Sequence, residues 1–246
     1  MPMTPQEADT FYGEQADLFL SGAADLTRRG EHVSAQQNYL VASDAQMVQA
    51  LLRWRHRLGG VADSLRNAVS TADRAADAAE ANPTAVPHGS HYAGIDIVAC
   101  LLGLPEIRAA RLLTDGWPPP KGVAVLIPQL DVGLAHFLRS AAPPPGWQEA
   151  LGRVSKKHRL VTDTFATYGT LLAGSTPSAT DVARAVQFYY KRGDGWGDMN
   201  GGGLANPNCV DFRLAAILQT VKAPPSLTTV ARPHVWDTPA GRGSAV

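Results

Sequence analysis

The chain has 246 residues, 45% hydrophobic and 18% charged, which is long enough for a packed core and too apolar for a disordered chain. Lys+Arg and Asp+Glu are 22 each. The resulting net charge of zero excludes a general nucleic-acid binder, which needs a basic surface to release counterions.

The N-terminal segment, Met1 to Glu7, has no basic stretch followed by an apolar run, so a secretory signal is not expected. No apolar stretch approaches the roughly 18–20 residues that span a bilayer. The expectation is a cytoplasmic protein without a membrane partner. Pro5 to Leu20 reads as the first helix. Residues 1–27 carry Glu7, Asp9, Glu14, Asp17 and Asp25 and no Lys or Arg, a local charge of −5. Such a surface either forms a solvated helix face or steers a basic partner.

From Leu40, the positions Met47, Leu51, Trp54, Leu58, Val61, Leu65, Ala68 and Ala72 step by four and three, the apolar stripe of a helix. Ser43 with Gln46 offers a capping box for its start. Gly59-Gly60 interrupts the stripe, which predicts one kinked helix or two helices ending near Glu80. Arg53, Arg55, Arg57 and Arg66 flank the inner stripe and are expected to pair with acidic neighbours.

Tyr92 to Leu102 predicts a helix closed by Gly103, and Pro105 to Thr114 another closed by Gly116. Val123 to Phe137 keeps a helical period cut by Pro128, and Val123 to Ile127 reads equally as a short buried strand. Trp147, Leu151, Val154, His158, Val161, Phe165, Tyr168 and Leu172 form a second stripe, read as one long helix ending at Gly174. Thr176-Pro177 starts a further helix, with proline at its first position. Cys209 to Val221 is the last. With no run of strands or hairpin signals, the fold class is all-α. We expect a single domain of about nine helices over residues 1–223, packed as irregular hairpins or a bundle, followed by an extended or disordered tail over 224–246.

Chemical motifs are sparse. Cys100 and Cys209 are too few for a disulfide framework and fall in apolar runs, so buried free thiols are expected. His88 and His91, with Asp96 nearby, do not complete a zinc ligand set, and Ser90 reads as a helix cap beside them. The loop Gly193 to Asn208 lacks the ending of a phosphate-binding loop, the terminal Glu of a calcium loop and the preceding strand of a dinucleotide site. No metal and no cofactor are expected. There is no Gly-x-Ser-x-Gly elbow, and His158 lies on an apolar stripe. What the loop does carry is Trp196 among Asp194, Asp198 and Asn200. Either this is a partner-binding loop, since Trp is a frequent interface anchor, or Trp196 folds back onto the core. Gly94 to Leu102 echoes Cys209 to Leu218, each with Asp (Asp96, Asp211) near a helix start and Ala three residues later. The preference of Asp for the positive helix end accounts for this without duplication.

Phe188-Tyr189-Tyr190-Lys191-Arg192, the Gly/Asp/Trp loop, Asn206 and Val210 to Leu218 resemble the C-terminal end of helical immunity proteins that accompany bacterial polymorphic and type VI secretion toxins. The Asp-led helix around Asp96 is similar to parts of such proteins. The resemblance implies a non-enzymatic protein that binds one cognate toxin, such as a basic nuclease effector, and occludes its active site. The candidate toxin-binding residues are Asp194, Trp196, Asp198 and Asn200 in the loop and Glu7, Glu14 and Asp17 on the first helix. Two other readings stand beside it. One is a helical enzyme using Asp96, Asp211 or His91. The other is a self-associating scaffold, a homodimer with the 40–72 stripe as its seam.

Overall fold

A computed structural model describes residues 3–56, 58–81, 89–105, 117–119, 121–125, 127–140, 142–155, 159–181, 183 and 212–221. Among them the fold is all-α, with eight helices, a helical turn at 179–181 and no strand. The helices are α1 (Pro5–Arg28), α2 (His32–His56), α3 (Val61–Glu80), α4 (Gly89–Leu101), α5 (Ile127–Ser140), α6 (Trp147–Gly152), α7 (Arg159–Leu172) and α8 (Phe212–Thr220). One contiguous apolar cluster takes residues from all of them.

α1 is longer than the sequence suggested. It runs past the expected end at Leu20 to Arg28, and Ala8, Ala16 and Ala23 form a buried line of small residues that continues the helix against α2. The approach is close: a β-carbon on Gly22 would lie 2.9 Å from the Asn38 side chain. Thr4 and Glu7 form a capping box at the start of α1.

The first apolar stripe belongs to two helices. Gly59 and Gly60 adopt left-handed φ values of 79° and 68°, which a side chain would oppose, and the chain reverses there. Cross-links fix α2 and α3 as an antiparallel hairpin: Ser43 Oγ donates to the Ala68 carbonyl at 2.9 Å, and Arg53 Nη1 donates to Ser64 Oγ at 2.9 Å. Ser43 is therefore not a cap. It sits fully buried in the middle of α2, and Gln46 is buried one turn further on. Leu40, Met47, Leu51, Val61, Leu65, Ala68 and Ala72 are all buried within the chain, so these positions of the stripe face its own core.

α4 ends as predicted, with Gly103 at a φ of 65°, and α7 ends at Gly174 at 77°. Pro128 does not cut a helix. It lies at the second position of α5, where no intrahelical donor is needed. Residues 123–125 are neither helix nor strand; Val125 forms one isolated parallel bridge with Val154. That bridge also breaks the second stripe. The continuous helix expected over 147–172 is two helices, α6 and α7. The Val125 N–H donates to the Arg153 carbonyl at 3.3 Å, and Arg153 Nη2 donates to the Pro119 carbonyl at 2.8 Å. Pro177 lies outside the following helical turn, which Ser178 caps through Asp181. Cys100 is half-buried rather than buried and forms no disulfide among the described residues. Cys209 and the tail lie outside the described residues, as does the predicted 105–114 helix beyond Pro105.

Aromatic side chains fill the second half of the core. Trp147 has its ring centroid 6.0 Å from Trp117, 6.3 Å from Phe137 and 6.3 Å from Phe165. It fits only because two helices present glycine. A β-carbon on Gly133 of α5 would lie 2.9 Å from the Trp147 ring and 2.6 Å from Trp117, and one on Gly169 of α7 would lie 2.8 Å from Trp147 Nε1.

Candidate functional site

Two arrangements of charged side chains stand out, one buried and one exposed. The buried one binds three helices together. Asp131 of α5 receives a bidentate bond from Arg213 of α8, Nε to Oδ1 at 2.5 Å and Nη2 to Oδ2 at 2.6 Å, with both side chains about 5% exposed. The Arg213 guanidinium carbon also lies 5.8 Å from the Phe165 ring centroid. Two turns further along α5, Arg139 reaches the Asp96 carboxylate of α4, with Nε to Oδ2 at 3.2 Å and Nη2 on Oδ1, and donates to the Leu104 carbonyl at 3.3 Å.

This geometry corrects one reading and extends another. Asp96 is not placed by the positive end of a helix; it lies in the middle of α4 and is held by Arg139. The segments that echo each other in sequence, α4 and α8, do pack together, and both grip α5 through buried ion pairs of opposite polarity. Both carboxylates have both oxygens engaged by guanidinium groups, which favours a clamping role over acid–base work. Asp131, Arg139 and Arg213 were not singled out from sequence. The available signal was a charged residue among apolar neighbours, as in Leu130-Asp131 and Phe212-Arg213-Leu214, since a buried charge needs a partner.

The exposed arrangement is the outer face of α1. Of its five acidic residues, three are engaged locally. Glu7 closes the capping box, accepting from Thr4 N at 2.7 Å while its own N–H donates to Thr4 Oγ1 at 3.2 Å. The Thr4 backbone hydrogen bond holds the Glu7 carboxyl below the ordinary glutamate range. Asp9 accepts from Arg53 Nε at 2.6 Å and Nη2 at 3.1 Å, the pairing expected for that arginine. Asp25 pairs with Arg28 at 3.2 Å and Arg29 at 3.1 Å. Glu14 and Asp17 are exposed and have no cationic partner among the described residues. Arginine offsets Asp9 and Asp25, so the uncompensated negative charge of this face rests on Glu7, Glu14 and Asp17. Beside them lie two apolar side chains that sequence reading passed over: Phe11, 43% exposed, and Leu18, 69% exposed.

Asp194, Trp196, Asp198, Asn200, Asp211, His88 and His158 lie outside the described residues, as does the side chain of His91. Among the described residues, no three His, Cys, Asp or Glu side chains form a group that could hold a metal ion. No helix among them is long and apolar enough to cross a membrane. No protein-family model, no curated protein and no solved structure matches the chain.

Proposed function

We propose that this protein is an immunity-type binder that neutralises a cognate bacterial toxin by covering its active site, and that it is not an enzyme. The observation that carries the reading is the outer face of α1, where the unpaired Glu14 and Asp17 carboxylates lie beside exposed Phe11 and Leu18. Carboxylates of this kind raise the association rate with a cationic surface, and aromatic and aliphatic side chains beside them supply apolar contact area. A cytoplasmic effector with a basic catalytic cleft, such as a nuclease, presents the complementary surface. The loop residues Asp194, Trp196, Asp198 and Asn200 would add a second contact, with the Trp196 ring as its anchor. The protein needs no cofactor for such a role, since occlusion is a matter of shape and charge.

Co-expression tests the reading. Cells producing a toxin domain of polymorphic or type VI origin should survive only when this protein is made with it, and the two should co-purify. Failure across toxins of nuclease, peptidase and nucleotide-modifying chemistry would remove the immunity reading. Trp196→Ala should weaken a toxin complex by about 2 kcal/mol, as truncation of an interface anchor does, with the melting temperature unchanged.

A further inference from the structure

The outer face of α1 has a spacing as well as a chemistry. Glu7, Phe11, Glu14, Leu18, Ser21 and Asp25 follow one another in alternating steps of four and three, and all six face away from the alanine line that seats the helix on α2. Steps of four and three trace a nearly straight line along a helix, the contact line along which a second helix packs at a shallow angle. α1 packs chiefly on α2 and forms the edge of the α1–α2–α3 layer, so this line faces outward.

We infer that the line is a docking track for one cationic amphipathic helix of a partner, with Lys or Arg set against Glu14 and Asp17 and apolar side chains set against Phe11 and Leu18. The inference rests on the partner-binding reading above, though not on the partner being a toxin. Two independent observations converge on the same surface. First, among the described residues five large hydrophobic side chains are exposed, and two of them, Phe11 and Leu18, lie two turns apart on this one line, Leu18 being the most exposed of the five. Second, Glu14 and Asp17, which have no cationic partner among the described residues, lie between Phe11 and Leu18 in the sequence, whereas Glu7 at the start of the helix is held in its capping box and Asp25 near its end pairs with arginine.

Charge decides the occupant. A second copy laid antiparallel on the line would match Phe11 with Leu18 of the other copy, but it would press the Glu14 and Asp17 carboxylates of both copies together. Like charges in apposition oppose that pairing. A cationic helix satisfies the apolar and the acidic parts of the track at once.

The probe is a synthetic helical peptide with leucine and lysine at heptad spacing, and its glutamate-for-lysine counterpart as the control. The lysine peptide should bind the full chain and the glutamate peptide should not. Joint replacement Glu14→Lys and Asp17→Lys should weaken binding by more than about tenfold. Joint replacement Phe11→Ala and Leu18→Ala should weaken it by about tenfold with the salt dependence retained. Glu80→Lys with Glu149→Lys, which makes the same change in net charge at exposed positions on other helices, should change it less than about twofold. The inference fails if the lysine peptide does not bind, if the Glu80/Glu149 pair weakens it as much as the Glu14/Asp17 pair, or if sedimentation shows a dimer that Leu18→Glu dissolves. Toxin co-expression separates the two proposals. Should Glu14→Lys with Asp17→Lys still neutralise a toxin that the wild type neutralises, the track falls and the immunity reading stands. If the peptide results hold and no toxin is neutralised, the track stands and the immunity reading falls.

Discussion

In α1–α3 the helices meet through alanine, whereas in α5–α7 they are held around indole and phenyl rings. α3 alone buries Ala68, Ala72, Ala75, Ala76, Ala78 and Ala79, and α1 touches its neighbour through Ala8, Ala16 and Ala23. The second half instead surrounds Trp147 with Trp117, Phe137 and Phe165. Small side chains let backbones approach closely, and the register is then set by hydrogen bonds across the gap, such as Ser43 to Ala68. Large rings cannot be stacked on one another in that way. They need glycine opposite them, and α8 is tied to this half by the buried Arg213–Asp131 pair. The halves therefore differ in what would damage them. The ring-filled half is sensitive to single atoms in the core, and the alanine half to the polar links and caps at its edges.

The largest effect is expected where a buried charge would lose its guanidinium partner. Arg213→Ala removes the bidentate guanidinium from the buried Asp131 carboxylate and should lower stability by about 3–5 kcal/mol, read as a shift of the urea midpoint. The double variant Asp131→Leu with Arg213→Met should recover most of that loss, because a buried pair adds little net stability over apolar packing. If Arg213→Ala has the small effect of a surface change, α8 is not held by this pair and the contrast between the halves is wrong.

Next come the glycines. Gly169→Ala places a methyl group within 2.8 Å of Trp147 Nε1, and overpacking of this kind should cost about 1–3 kcal/mol. Gly13→Ala on α1 tests the other half. Its β-carbon would lie 3.0 Å from the end of the Gln49 side chain, which can move, so a smaller loss is expected. Equal losses at the two positions would erase the distinction between the halves.

Within the alanine half, Ser43→Ala removes the donor to the Ala68 carbonyl and should cost about 1 kcal/mol. Urea unfolding checks it, and a neutral result would leave the α2–α3 register to the alanines and the other cross-links.

The smallest effect concerns the first turn of α1. The Glu7 carboxyl lies below its ordinary range in the folded chain, so its capping contribution is fully present above the ordinary glutamate value and is lost as pH falls through the depressed one. The carboxyl carbon shift of Glu7 should titrate below the ordinary value, and the Thr4 amide signal should move with it. Thr4→Ala should shift that titration upward. A Glu7 titration that stays in place in Thr4→Ala would mean that the capping box does not form in solution.

Much of the fold was legible because helices announce themselves by period. Apolar side chains at steps of four and three located α2, α3 and α7, and the glycines at 59–60, 103 and 174 marked turns or ends that only a residue without a β-carbon adopts easily. The acidic face of α1 was legible as composition. The sequence alone could not show that the 147–172 stripe is two helices, because the interruption comes from a backbone bridge between Val125 and Val154, residues far apart in the chain. Nor could it show that Ser43 ties two helices together, since a serine ahead of a glutamine has the same local pattern as a cap. The partners of Asp96, Asp131, Arg139 and Arg213 were decided by tertiary packing, as was the isolation of Glu14 and Asp17. An ion pair is a relation between surfaces that sequence spacing does not encode, and a charge counts as free only after the folded chain has offered it every neighbour. Period and backbone preference are local and survive in sequence, whereas pairing and exposure exist only once the helices meet.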